Sequence, residues 1–331
     1  MKVSQSAPAQ AALHPLKQRR SAVSNGVAST LGAASISVAM VLVSASWAVA
    51  QPTRLEFKGK TGEAIQLESG MKLEMRVFPQ GASAPEAVIE LGSATLRKDS
   101  VVRTHANGDV EAISKFLRLQ KFQVFNGKPV FFFDSQDPKS VEATKASPEA
   151  QALRAALGMQ ISLRFDARGR LIDVRTENAG SAHQAQIDRI MEDGISGNWL
   201  ALPPGPIDVG QNWEIGKRSY NFPGVGRIEY LVRATLKGVD KSAPNGAMAL
   251  IDLVSETPKF IAAPGKDKNA VQLDHFQLVG DAAFQIGTGR FSKQENDLVM
   301  RLHVREPDGR RQRIEAKGSI VVREVAALGQ N

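Results

Sequence analysis

The side chains able to do chemistry are scattered along this chain rather than gathered. Past residue 50 the histidines are His105, His183, His275 and His303, and none has a second histidine at ligand spacing. A zinc centre needs three or four converging ligands, so these read as surface histidines. Asp274 and His275 are neighbours, and neighbours on a strand point to opposite faces. The chain has no Gly-x-Ser-x-Gly elbow and no Ser-x-x-Lys pair placed at a helix start. Gly194-Ile195-Ser196-Gly197 has the wrong spacing and reads as a helix stop and loop. Glu192-Asp193 and Glu295-Asn296-Asp297 sit in polar, turn-like sequence, where carboxylates keep ordinary pKa values and make poor acid catalysts. Gly224-Val225-Gly226 and Gly287-Thr288-Gly289 lack the following helix that would present amides to a phosphate. The expectation is therefore no catalytic residue, no metal and no cofactor. A hydrolase built from distant carboxylates stays open, because such pairs need not be close in sequence.

Two clusters point to binding instead. The first is Phe116, Phe122, Phe125, Val130, Phe131, Phe132 and Phe133, grouped around Asn126-Gly127. On a strand Phe131 and Phe133 face one way and Phe132 the other. Either protein covers both faces, or one face meets a ligand, a partner or a membrane. The binding reading makes Phe116, Phe122, Phe131, Phe132 and Phe133 the wall of an apolar ligand site. The second cluster is a basic strip: Arg301, Arg305, Arg310, Arg311, Arg313, Lys317 and Arg323, against Glu306, Asp308 and Glu315. Arg301, His303 and Arg305 fall on one strand face, and Arg313, Glu315, Lys317 and Arg323 on the solvent face of the next. Such a strip keeps a sheet soluble and discourages edge pairing. Its functional reading is an anion-facing surface, with Arg301, Arg305, Arg311, Arg313 and Lys317 as the contacts.

The elements that must position these residues are strands. Met71 to Val77, Met159 to Phe165, Ile228 to Leu236, Leu298 to Val304 and Ile314 to Val322 alternate apolar with polar residues. Period two means one buried and one wet face, the pattern of antiparallel sheets. Asn107-Gly108, Asn126-Gly127 and Asn245-Gly246 lie between such runs and suit tight hairpins. Asp166-Ala167-Arg168-Gly169 and Pro307-Asp308-Gly309 supply two more turns. Leu117 and Leu119 are out of phase with Phe122 and Val124, which predicts a bulge or bend near Gln120-Lys121. Two short helices are expected. Ser147-Pro148-Glu149 opens one that Gly158 ends, and Ser181 opens another that Gly194 ends. Their apolar stripes need cover, so they should pack on the concave face of the sheet. The fold class is mainly β: a large curved antiparallel sheet, or two related half-barrels, with two short helices. Residues 51–177 form an N-terminal half, 178–213 a helix and proline-rich crossover, and 214–331 a C-terminal half.

The first fifty residues read as an export signal. Lys17, Arg19 and Arg20 precede an apolar stretch, and Ala48-Val49-Ala50 stands before Gln51 in a small-x-small pattern. Cleavage between Ala50 and Gln51 is expected, with periplasmic or secreted protein as the product. The alternative is an N-terminal membrane anchor, since Leu31 to Ala50 is about the length that spans a bilayer. Without cysteine there are no disulfides and no lipid attachment to a cysteine. The chain of 331 residues carries +8, and Lys2, Lys17, Arg19 and Arg20 account for four of these charges. The remaining +4 is not a nucleic-acid-binding balance.

The segment Leu202-Pro-x-x-Pro206-Ile207-x-Val209-Gly210-x-x-Trp213 resembles one in uncharacterised exported bacterial β-rich proteins of unknown-function families. The hairpin at Leu163-Arg-Phe-Asp-Ala-Arg-Gly-Arg170 is similar to theirs as well. Many of them have Asp where this chain has Gln211. The resemblance implies export and a β-rich fold, and transfers no functional residue. At the level of fold alone, the expected architecture is similar to the half-barrel of periplasmic lipoprotein carriers. The function expected is a non-enzymatic binding or carrier protein for an apolar or lipid-like ligand. A structural or protein-interaction component of the envelope, with an envelope protein partner, is the alternative. No stable membrane span is expected after cleavage.

Overall fold

The computed structural model describes residues 52–331, apart from 178–199, 223–225, 245, 264–266, 268–269, 307 and 327–331. The leader, His183 and the expected helix from Ser181 to Gly194 lie outside the described residues.

The chain forms one large, curved, unclosed antiparallel sheet with two short helices. Its twelve strands are β1 (Ala64–Pro79), β2 (Ala87–Thr104), β3 (Val110–Phe125), β4 (Lys128–Asp134), β5 (Gln160–Phe165), β6 (Leu171–Glu177), β7 (Asn212–Phe222), β8 (Gly226–Asp240), β9 (Met248–Ala262), β10 (Val271–Gln285), β11 (Arg290–Arg305) and β12 (Arg311–Val325). The order across the sheet is β6-β5-β3-β2-β1-β12-β11-β10-β9-β8-β7, and β4 pairs with β3. Most neighbours are consecutive hairpins, which is why the Asn-Gly and Asp-Gly signals fall between strands. The exception is decisive for the architecture. First and last strands pair from Gln66↔Val325 to Pro79↔Gln312, so strands from both halves of the chain belong to one sheet.

The alternating runs face as their period requires. Leu73, Leu91, Ala316, Met300 and Phe276 lie on one face, which is the inner one. Arg301, His303, Arg305, Arg313 and Lys317 lie on the outer face. The expected bulge near Gln120-Lys121 is absent: Leu119 and Phe122 lie on opposite faces, and the bulge of β3 comes three residues before Gln120. Register runs from Leu96↔Arg118 to Arg97↔Phe116, so Leu117 is the extra residue and is exposed. The alternation of Leu119, Lys121, Gln123 and Phe125 then continues unbroken opposite β2.

Helix α1 (Pro138–Ala143) was not apparent in the sequence; it is only six residues long, with Asp137 as its N-cap. Helix α2 (Pro148–Leu157) is the expected one. The Ser147 side chain accepts from the Ala150 N–H, and Gly158 is its C-cap. Ala150 and Ala156 pack on Leu119 and Phe133, the inner-face side of β3 and β4. Lys121 pairs with Glu149 across this contact.

Candidate functional site

The inner face has two ends with different fates. One end carries the β2–β3, β5–β6, β8–β9 and β10–β11 turns. There, residues 53–63 form a strap across the face. Thr53 exchanges backbone hydrogen bonds with Ile207 of the crossover at 2.8 and 2.9 Å. The Lys58 N–H then donates to the Gly289 carbonyl at 3.2 Å, and the Gly62 N–H to that of Val101 at 2.9 Å. The backbone runs so close to the β10–β11 turn that a Cβ on Gly289, which has φ +68°, would lie 2.6 Å from the Glu56 carbonyl. Phe57 packs between two parts of the core and its ring meets Phe165 at 5.6 Å. The β5–β6 turn also reaches the crossover: the Leu202 N–H donates to the Arg168 carbonyl, and the Arg168 guanidinium to the Leu202 carbonyl at 2.6 Å. Trp213 donates its indole N–H to the Ala201 carbonyl at 2.8 Å, which fixes the crossover to β7. These links hold the two wings of the unclosed sheet together. Phe165, Phe284, Leu236, Leu202 and Ile251 beneath them are at most 1% exposed. Each contributes about 2–3 kcal/mol by leaving water.

A cavity of about 50 Å3 remains under the strap. That is well below the roughly 300–1,000 Å3 of typical ligand clefts. Asp99 lines it. Asp99 forms an ion pair with Arg97 at 3.3 Å, both side chains 4% exposed. A buried pair of this kind breaks even at best, because desolvation opposes the attraction.

The opposite end carries the β1–β2, β3–β4, β7–β8 and β11–β12 turns, and the described residues leave its apolar side chains only partly buried. Met75, Leu91, Ile314, Val304, Leu273 and Phe260 pack on the core from one side and stay accessible on the other. Register confirms a common face: Met75 lies opposite Ala316, Leu73 opposite Leu91, Leu302 opposite both Ile314 and Leu273. This mouth is bounded on the β7 side by Arg218, opposite Tyr230. Burial holds the Arg218 guanidinium below its usual pKa and pushes the Tyr230 phenol up. The mouth is thus a broad apolar surface with a partly desolvated cation at one margin.

The five phenylalanines of the expected wall do not form one surface. Phe116, Phe131 and Phe133 lie on the inner face against α1, α2 and Leu119, and Phe133 is fully buried. Phe122 and Phe132 are cross-strand partners on the outer face. Phe122 lies over Gly92 of β2, where no Cβ intervenes. Phe132 is 46% exposed, with Phe125 and Val130 also exposed at the same hairpin. The β3–β4 register divides them, and the helices cover one set only.

Asp134 ends β4 and holds this wing in place. It accepts from Arg118 Nη2 at 2.5 Å, from Gln120 at 2.6 Å and from the Gln136 N–H at 3.0 Å. Burial pushes its carboxyl pKa up, but Arg118, Gln136 and Gln120 outweigh this and hold it below the usual carboxylate value. Other ionisable groups are paired along the surface. His105 meets Glu111 at 2.9 Å, and His303 meets Asp274 at 3.0 Å. Asp274 is the bulged residue of β10, which turns it away from the alternation expected for an Asp-His neighbour pair. Among the described residues no three His, Asp or Glu side chains are grouped to hold a metal, and no helix is long and apolar enough to cross a membrane.

Of the basic strip, Arg301 and Arg313 share Glu315 at 3.2 and 3.3 Å, and Lys317 lies opposite Glu74. Arg305 and Arg311 face each other across the β11–β12 hairpin. The residues that sequence reasoning missed are those of the mouth on β2, β9 and β10. Their strands alternate, but only the strap decides which end of each stays uncovered.

No family model matches the chain, and no curated protein matches it. Among solved structures it is similar to lipovitellin, in a structure concerned with its lipid–protein interactions, at 13% identity and a TM-score of 0.44. That match covers 83% of this chain and 27% of the lipovitellin chain, so this chain spans about a quarter of that protein's length. It is also similar to an outer membrane channel from Pseudomonas putida F1, at 11% identity and a TM-score of 0.21, covering 83% and 99%. DynF from the dynemicin biosynthesis pathway of Micromonospora chersina aligns at 7% identity and a TM-score of 0.19, covering 84% and 87%.

Proposed function

We propose that this is an exported, non-enzymatic binding or carrier protein of the cell envelope whose ligand is apolar or lipid-like. The observation that carries this reading is the half-buried apolar mouth. Met75, Leu91, Ile314, Leu273 and Phe260 offer a concave apolar surface that the described residues leave partly open. Apolar surface of that kind is costly to leave in water, and a ligand that covers it is held by the same area effect that folds the core. The cavity under the strap is too small to take such a ligand. Export is the companion proposal, resting on the charged-apolar-small order of the first fifty residues. Native mass spectrometry of protein purified from its own compartment, followed by lipid extraction, tests the first. One apolar molecule per chain is expected; a chain that carries none and takes up no oleate contradicts it. Finding Gln51 at the amino terminus supports export with cleavage, and a chain that still begins near Met1 contradicts cleavage.

A second reading, an interaction component of the envelope, draws on the apolar side chains exposed at the β3–β4 hairpin, Phe125, Val130 and Phe132. A Phe132→Asp variant that keeps oleate uptake but loses a co-purifying envelope protein favours it.

A further inference from the structure

The basic strip is not uniform, and its uneven part encloses a pocket. Where the β11–β12 hairpin meets the β1–β2 loop and the start of β10, there is a concavity of about 310 Å3. Its lining includes Arg305, Arg311, Arg313, His303, Gln272 and Gln312 and, among the described residues, no carboxylate. It is six times the volume of the cavity under the strap.

The charges in it are placed against electrostatic preference. Arg305 and Arg311 are directly opposed across the hairpin. Side chains directly opposed on antiparallel strands start about 5 Å apart, where like charges repel. Surface arginines elsewhere on the same face are neutralised: Arg301 by Glu315, and Arg323 by Glu68 at 2.6 Å. Among the described residues neither Arg305 nor Arg311 has an ion-pair partner. Three nearby acids are engaged elsewhere. Asp274 meets His303 at 3.0 Å, Glu86 accepts from Gln312 at 3.2 Å, and Asp308 pairs with Arg310 at 2.6 Å in the turn. Arg313 is held in position. Its guanidinium carbon lies 4.3 Å from the centre of the Phe78 ring, and Glu315 is 3.3 Å from its Nε. That Nε is buried and makes no hydrogen bond.

We infer that this pocket binds an oxyanion of the phosphate class, gripped by Arg305 and Arg311 with Arg313 as a fixed third cation. Guanidinium groups donate in a planar fork that matches phosphate oxygens, and the amide of Gln272, opposite His303 on the same face, adds a donor beside them. An anion here relieves the repulsion that the register imposes. Arg301 and Lys317 lie outside the lining and take no part. The inference stands apart from the apolar mouth, since the pocket's arginines point to the outer face.

The test is calorimetric titration of the full chain with pyrophosphate at low salt, using Arg305→Gln/Arg311→Gln and, as a control, Arg301→Gln/Lys317→Gln. All four side chains are at the surface, and circular dichroism checks the fold. One pyrophosphate per chain is expected, weakened about tenfold or more in the first variant and little changed in the second. Flotation with phosphatidylglycerol–phosphatidylcholine vesicles then separates two sources of the group. Vesicle binding that pyrophosphate competes away assigns a lipid headgroup. Pyrophosphate binding without vesicle binding assigns a soluble phosphate compound. The inference is overturned if neither probe binds, or if both variants weaken binding equally, which is the behaviour of diffuse surface charge. Oleate uptake should be the same in both variants, so failure here is distinguishable from failure of the apolar-ligand reading.

Discussion

The strap end and the mouth are two ends of the same inner face, built from the same strands with the same alternation, yet they are finished differently. At the strap end, residues 53–63 and the crossover at 200–207 cover the face and reduce its free space to about 50 Å3. At the mouth, Met75, Leu91, Ile314 and Leu273 pack on the core but stay only partly buried. The first region spends its apolar area on folding and on joining the two wings of the sheet. The second keeps part of that area in reserve. Alternation in a strand therefore says which face is apolar; the nonlocal segment that crosses it decides whether the area serves stability or binding.

Substitutions should break this contrast in a graded way. Phe165→Ala, under the strap, removes a fully buried ring and its contact with Phe57. It should cost about 3–5 kcal/mol in urea unfolding, enough to threaten the fold. The buried pair sharpens the same region. Asp99→Ala leaves Arg97 charged and buried and should cost about 3 kcal/mol, whereas Arg97→Met with Asp99→Leu should cost under about 1 kcal/mol or stabilise. If the double variant is the worse of the two, the pair is worth more to the fold than its burial suggests.

The next effect is smaller and depends on pH. Asp134 has a folded pKa below its usual value, so its charged form stabilises the fold. That contribution is full above the unfolded pKa of about 3.9 and fades as pH falls through the lower folded value. Asp134→Asn should therefore lower the melting temperature at pH 7, by the equivalent of about 1–2 kcal/mol, and the gap to wild type should close towards pH 2. A gap that stays constant with pH would assign the loss to packing instead. The smallest effect on stability belongs to the mouth. Met75→Gln with Leu91→Gln should cost about 1 kcal/mol or less, yet lower oleate affinity about tenfold, since each loses apolar contact with a ligand rather than with the core.

Much of the fold is legible in the sequence for a physical reason. Met71 to Val77 or Ile314 to Val322 must alternate because one face is buried, and Asn126-Gly127 must turn because few other pairs accept positive φ twice. Ser147 and Gly158 mark α2 by supplying its cap and its stop. What is not legible is nonlocal. Residues 52–63 carry no period, and their course is set by backbone hydrogen bonds to Ile207, Gly289 and Val101, far away in sequence. The bulge at Leu117 was not legible, because the pattern suggested that Leu119 and Phe122 share a face, whereas the register puts them on opposite ones. Phe131, Phe132 and Phe133 announce two apolar faces, but not that α2 covers only the first and third. The basic strip was visible as composition. Its division into paired and opposed arginines is a matter of register, which composition does not contain.

The absence of cysteine allows a direct test of the mouth, because a single introduced thiol can carry an environment-sensitive fluorophore without competition. The label is placed at Met75→Cys on the inner face and at Val299→Cys on the outer face, and oleate is titrated in. The emission of the Met75→Cys protein should shift to the blue and saturate at one oleate per chain, while that of Val299→Cys stays unchanged. Equal shifts at both positions, or none at Met75→Cys, would contradict an apolar ligand seated at the open end of the sheet.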